Sequence, residues 1–545
     1  MRFGRREFLK AGLLAAGATV LGAQAPAPPD IELEAPLSPP PLDVSVLARF
    51  VDRLPIPPQA RPVESGGRDG KETASSVARY RIEMREFFGR AHRDLPAARM
   101  WGYEGASPGP TFEVRKDRPI EIEWINRLPT AHLFAVDTSL HGAEADKPRV
   151  RTVVHVHGAR VTPDNDGYPE KWFAAGGSAL YHYPNAQDAA MLWYHDHALG
   201  ITRLNIFAGL FGVYFIRDEV EDALGLPRGR YEIPLLVCDR AFDRRGQLDY
   251  PIGPLFGHPW VPEFSGNAIL LNGKLFPFIE VEPALYRLRV VNVSNGRTFT
   301  ISLSSGLPLF QIGSDQGLLA APVETRVVEL APAERADLMI DFRGNGGRTV
   351  TLQNEGAEIM QFRISTGATS PQRPLPSRLR DVKRMAPSRA ARTRILTLDE
   401  YFDSRGRVVR SLLNGTRWSA PVTERPRLGS TEIWALVNLT RDAHPVHLHG
   451  VRFQVLDRRA IDVAAFQKNR SLVYTGTAKE PSAAESGWKD TVRADPGAVT
   501  RIIVPFESFA GLYSWHCHIL EHEDNEMMRP FEIVAANSNR KSLSG

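Results

Sequence analysis

Three stretches of this 545-residue chain echo one another, and the echo constrains its fold more than any other feature. They are RPIEIEWINRLP (118–129), LYRLRVVNVSNGRT (285–298) and TEIWALVNLTRDAHP (431–445). Each alternates apolar and polar residues and closes on an asparagine: Asn126, Asn292 and Asn438. Alternation with a period of two means a strand with one buried face, and asparagine suits the turn that ends it. Each repeat then finishes on a similar apolar strand, GLFGVYFIRD, IMQFRIST or MMRPFEIVA. Three copies of one β-sandwich explain this most economically, so the chain is expected to be all-β. Its length exceeds what one core can hold, and 44 glycines and 42 prolines supply the turns that many short strands need.

The punctuation between the repeats places the domains at 63–218, 219–366 and 393–545. A linker rich in Pro, Arg and Ser covers 367–392, and a Pro-rich arm covers 26–62. Residues 1–25 read as an export signal. Arg5-Arg6 precede a short apolar run (11–21), and Ala23-Gln24-Ala25 fits a cleavage site. The twin arginine with Phe8-Leu9-Lys10 points to the twin-arginine route, hence to a periplasmic or extracellular protein. The run is too short and too rich in Ala and Gly to span a bilayer comfortably, and no later stretch is long enough. Stable membrane insertion is therefore not expected. Most of the formal charge of +4 also sits in this segment, which leaves no ground for a nucleic-acid partner.

The repeats differ in the strand after the echo. The first carries His155-Val-His157 and the third His444-Pro-Val-His447-Leu-His449, whereas the middle one reads FTISLSSG. The chemistry is expected in repeats one and three, with the middle one a spacer. Two more clusters, His195/His197 and His516/His518/His522, bring ten of the fifteen histidines into four groups. On a strand, residues i and i+2 share a face, so each His-x-His pair aims two imidazoles one way. Eight converging imidazoles exceed the four ligands at which structural zinc closes, which points to a multinuclear site.

In SWHCHILEHEDNEMM, Cys517 lies between His516 and His518 and must face the opposite side. It can hold a separate metal while its chain neighbours touch the cluster, an electron conduit for which zinc has no use. Cys517, His444 and His522, with Met527 as a weak axial thioether, are the ligands of a blue copper site. Met528 is the neighbouring candidate. The other cysteine, Cys238, sits in the apolar run YEIPLLVCDR and reads as an inert packed thiol. The single His92, His132, His141, His182 and His258 read as structural or surface residues.

These clusters resemble those of the multicopper oxidases. VHGARVTPDNDGYPEKWF, YHYPNAQDAAMLWYHDHALGITRLNIFAGL, NGKLFPFIEVEP, GSDQGLLAAP and GWKDTVRADPGAVTRI are similar to stretches of bacterial spore-coat laccases and bilirubin oxidases. The resemblance runs from about Gly105 to Phe531. It implies three cupredoxin-like Greek-key sandwiches and four copper ions: one type 1, one type 2 and a type 3 pair. Type 1 copper would be held by His444, Cys517, His522 and Met527, and type 2 by His155 and His447. The type 3 pair would be held by His157, His195, His197, His449, His516 and His518. Electrons from a small phenolic or aromatic amine donor would enter through an exposed edge of His522 and end on dioxygen, giving water. Glu523 and Asp166 would relay protons, with Asp164 and Glu521 as weaker candidates. A monomer is expected.

Two details depart from the pattern. Ser265, in VPEFSGNAIL, stands where some spore-coat laccases have a disulfide cysteine, and Gly450 follows HLH where some relatives carry a bulkier apolar residue. Both bear on the donor pocket. Oxidation of cuprous or manganous ions, and bilirubin oxidase or phenoxazinone synthase chemistry, share the same framework. Against a cuprous substrate, the nine methionines form no methionine-rich run. A copper-free assembly or stress factor is disfavoured by the complete ligand set, and a two-domain nitrite reductase by the third repeat.

Overall fold

Each echoed stretch is a central strand of its own sandwich: Ile120–Asn126, Leu285–Asn292 and Thr431–Asn438. Each runs parallel to the strand that opens its domain, Ala78–Gly89, Glu232–Arg240 or Arg392–Phe402. Each is antiparallel to its other neighbour, Ser178–Tyr183, Arg335–Asp341 or Ala498–Pro505. The three asparagines act identically. Each is buried, and its Oδ1 accepts from the backbone N–H two residues on, in Leu128, Ser294 or Thr440. That is an asparagine turn, and it explains why the same residue ends all three strands.

These facts come from a computed structural model that describes residues 41–63, 77–253, 259–367 and 372–535. The export signal, the start of the Pro-rich arm and His258 lie outside the described residues. Among the described residues no helix is long and apolar enough to cross a membrane.

The first sandwich has two four-stranded sheets, the second a seven- and a five-stranded sheet, the third a five- and a four-stranded sheet. Each encloses its own core, around Trp124 and Tyr194, around Leu288 and Phe362, and around Trp434 and Phe531. The closing strands of the first two return parallel to an earlier strand, Phe211–Arg217 beside Phe112–Arg115 and Ala357–Ile364 beside Phe278–Val281. Such long-range crossings, not simple hairpins, make a Greek key.

Two features tie the first and second sandwiches together. The arm lies along the second, where Leu42, Phe50 and Leu54 donate to the carbonyls of Phe242, Phe276 and Phe278, and then reaches the first, where Ala60 donates to Thr111. Beneath it is a shared core with Trp193, Phe211 and Cys238. Burial pushes the Cys238 thiol up, as fits an inert packing role.

Candidate metal centre

The four histidine clusters lie on two strand pairs, one per outer domain. Val154–His157 pairs antiparallel with Ala190–Asp196, and the register sets His155 opposite His195. His444–Leu448 pairs with Gly511–Cys517, and His447 faces His516. Directly opposed residues share a face, so each pair presents its imidazoles as one patch. The two patches meet: His157 stacks on His447 at 3.5 Å between centroids, and His155 on His449 at 3.8 Å. All eight imidazoles are buried.

Ligand atoms within 4.8 Å of one another divide these residues into His157/His195/His518, His197/His449/His516 and His155/His157/His447. The first two triads use all six histidines expected around a metal pair. His155 and His447 are left together beside them.

The inner nitrogens fit a cation. His449 Nδ1 donates to Asp166 Oδ2 (2.8 Å) and His516 Nδ1 to the Cys517 carbonyl (3.0 Å), so each Nε2 carries a lone pair. With His197 Nε2 they form a triangle 3.1–3.2 Å on a side. Lone pairs so close repel unless a cation lies among them. Nε2 of His155, His195 and His447 and both nitrogens of His518 have no protein partner. Burial holds the imidazoles of His155, His157, His195, His197, His447, His449 and His518 far on the neutral, metal-binding side. Orphaned buried polar atoms in this number would be costly without a ligand.

Cys517 belongs to the third core, across the strand from His516. Its Sγ lies 3.5 Å from His444 Nδ1 and 4.0 Å from His522 Nδ1, with 3.3 Å between those two nitrogens. His444 Nε2 bonds Thr440 Oγ1 at 2.7 Å, which leaves Nδ1 free for a metal. Burial pushes the Cys517 thiol up, so a thiolate here needs a bound cation. Met527 lies in the same core as Cys517, whereas Met528 pairs with His516 and packs on Tyr168, Leu199 and Trp418. Packing in the core of Cys517 thus favours Met527 over Met528 as the thioether.

Glu523 Oε1 lies 3.3 Å from His197 Nδ1 and Oε2 3.1 Å from His516 Nδ1. Neither oxygen completes a well-aligned hydrogen bond, so close approach is all that holds there. Burial, opposed by His155, pushes the Asp166 carboxyl up to about 6, and its main bond is the one to His449. That contact orients a ring.

Four expectations need correcting. Asp164 is 83 % exposed and paired with Lys171, because its loop turns it to solvent. Glu521 is buried but bonds Tyr250 and Asn295, not a cluster imidazole. His522 is only 1 % exposed, with Glu263 at 3.8 Å from Nε2, so its edge is covered. The middle domain is more than a spacer: its Arg335 and Gln316 both bond Asp490, which reaches His157. Asp490 escaped the sequence reading, although an acid just before the strand Thr491–Ala494, which pairs with His444–Leu448, was a usable signal. Of the single histidines, His92 and His132 are held in structural bonds to Ala48 and Asn205, and His182 is exposed.

Models of the multicopper oxidase family match residues 147–221 and 384–537. A laccase of Bacillus subtilis is 44 % identical over 90 % of this chain and 99 % of its own length. A laccase of Haloferax volcanii is 38 % identical over 91 % of this chain and 88 % of its own. Among solved structures, a laccase from Pediococcus acidilactici superposes with a TM-score of 0.72 at 27 % identity, covering 88 % of this chain and 93 % of that one.

Proposed function

The chain belongs to the multicopper oxidases and is a laccase-like enzyme that uses dioxygen; from that premise we propose that it oxidises small phenols or aromatic amines with four coppers and returns water. The observation that carries this is the placing of Cys517 and His516 back to back on one strand. Copper would supply one-electron acceptance at the cysteine and four-electron reduction of dioxygen at the histidines. The first ion would be held by His444, Cys517, His522 and Met527. His155 and His447 would hold the second, and the two imidazole triads the pair.

The protein's own part is insulation, orientation and protons. Burial of all eight imidazoles would keep bulk water from metal held there. The peptides joining Cys517 to His516 and His518 are the covalent link between the two places. Glu523 is assigned the proton-holding role because of its approach to His197 and His516 and because it borders a cavity. That cavity, shared with His141, Asp524 and Glu526, has about 10 Å³, near what one water needs. His141 also lines an outer cavity of about 410 Å³ with Glu144, Asp146 and Glu170, so solvent protons have a short way in. Asp166 keeps a place in the relay through His449, secondary to its orienting contact. Export by the twin-arginine route, already folded, is proposed from the leader alone.

A second reading, with a cationic donor such as a cuprous or manganous ion, is favoured by one observation. Glu263 approaches His522, and both Glu263 and Glu400 act electrostatically on Cys517, so the electron entry is acidic. Oxygen uptake by copper-loaded protein decides between them. Four phenol molecules oxidised per dioxygen, without peroxide, is the result expected. Blue protein that ignores phenols and aromatic amines but consumes oxygen with cuprous ion would replace the organic donor. Colourless protein after loading would remove the copper assignment itself.

A further inference from the structure

Gly158 ends the HVHG motif at φ +88°, and all three sandwiches meet on it. A Cβ there would come within 2.5 Å of Asp490 Oδ2, 2.8 Å of Gln316 Nε2 and 2.9 Å of Arg335 Nη2. Only glycine fits both that backbone and that space. Gln316 and Arg335 come from the second sandwich and Asp490 from the third, and all three are buried.

The bonding at this junction is dense. Arg335 Nη1 donates to Asp490 Oδ1 at 2.7 Å, and its Nη2 to Asp490 Oδ2. Its remaining donors go to the carbonyls of Met191, Ala333 and Asp315. Gln316 Nε2 donates to Asp490 Oδ2 (2.6 Å) and to the Gly158 carbonyl (2.8 Å). A bidentate guanidinium–carboxylate pair fixes the carboxylate plane as well as its position.

The fixed carboxylate faces an imidazole with unusual orientation. His155, His195, His447, His449 and His516 all give Nδ1 to a protein acceptor and turn Nε2 inward. His157 is reversed: its Nε2 meets Asp490 Oδ1 at 3.1 Å and Thr491 Oγ1 at 3.0 Å, and its Nδ1 has no partner. Which nitrogen is free is set by the bond the other makes. The Asp490 backbone carbonyl also accepts from His447 Nδ1 at 2.8 Å. One residue therefore orients an imidazole from each outer domain.

We propose that Arg335 of the middle sandwich is a positioning residue for the histidine cluster: by clamping Asp490 it holds His157, of the type 3 set, as the Nε2–H tautomer and His447, of the type 2 pair, with Nε2 inward, so cupric ion fills both sites fully only when all three sandwiches are docked. The inference rests on the copper reading above. It gives the ligand-free domain a task, since copper loading becomes a check on assembly.

The test is a cupric titration of copper-free protein, following the blue absorption for the Cys517 site, the type 2 electron paramagnetic resonance signal for the site of His447, and the near-ultraviolet absorption of the coupled type 3 pair for the site of His157. Arg335→Gln is expected to keep the blue absorption and to lose 10- to 100-fold in affinity at the type 2 and type 3 positions, the usual cost of losing such a partner. Arg335→Lys recovers part of that loss. Because Arg335→Gln leaves a buried carboxylate without its cation, the paired variant Arg335→Gln/Asp490→Asn guards against misfolding. It is expected to unfold near the wild-type temperature yet retain the selective loss. Wild-type affinity at the type 2 and type 3 positions in either variant, or an equal loss of the blue absorption alongside them, would overturn the proposal. A wild-type protein that turns blue without any type 2 signal would instead overturn the cluster reading beneath it.

Discussion

At the scale of single residues, the site depends on which way side chains face. Glu523 is the only acid among the four considered that approaches two cluster imidazoles and also borders the one-water cavity. Glu523→Gln is expected to slow oxygen reduction roughly 100-fold or more, the usual worth of a placed proton donor, while the blue absorption stays. Stopped-flow reoxidation of reduced enzyme measures this, and an unchanged rate would remove Glu523 from the relay. Met527→Leu is expected to raise the type 1 potential in a redox titration, because a weak axial donor is lost. Met528→Leu, packed on Trp418 away from Cys517, is expected to leave the potential in place.

At the scale of elements, one asparagine turn recurs three times with different consequences. Asn292 Nδ2 holds the carbonyls of Arg297 and Leu330, and Asn438 Nδ2 those of Asp442 and Ala494. Replacing either by Ala strands buried carbonyls and is expected to cost about 1–3 kcal/mol in unfolding experiments. Only Asn438 also receives Thr440, whose hydroxyl bonds His444. Asn438→Ala is therefore expected to shift the blue absorption as well, and Asn292→Ala to leave it alone. A matching spectral shift in both would show that the turn acts through general stability. These turns were legible because a strand ending is a local event, written in adjacent residues.

At the scale of the whole molecule, the first and second sandwiches are joined by a buried ion cluster of Arg217, Arg287 and Arg289 with Glu221, Glu232 and Asp337. Burial alone would push the Glu221 carboxyl up, but Arg287, Arg289 and Arg217 outweigh it and hold it down at about 2. A carboxylate depressed on folding contributes stability above its ordinary range and loses it as pH falls toward the folded value. Copper-free protein is thus expected to lose stability between about pH 4.5 and 2, and Glu221→Gln to flatten that fall in calorimetry. An unaltered slope would place the acid sensitivity elsewhere. None of this cluster was visible in the sequence, because its six members are scattered over four strands, a helix and two domains.

The sequence by itself determined the repeat, the all-β class and which side chains of each histidine motif share a face. Period-two alternation dictates facing within a strand whatever the rest of the chain does, so His-x-His and His-Cys-His carry their meaning locally. Tertiary structure alone decided what depends on the space between strands. It buried His522 behind Glu263, turned Asp164 to solvent, gave Glu521 to Tyr250 and brought Arg335 from the middle domain to Asp490. Those outcomes depend on contacts between residues far apart in the chain, and only packing the three sandwiches together sets which of them meet.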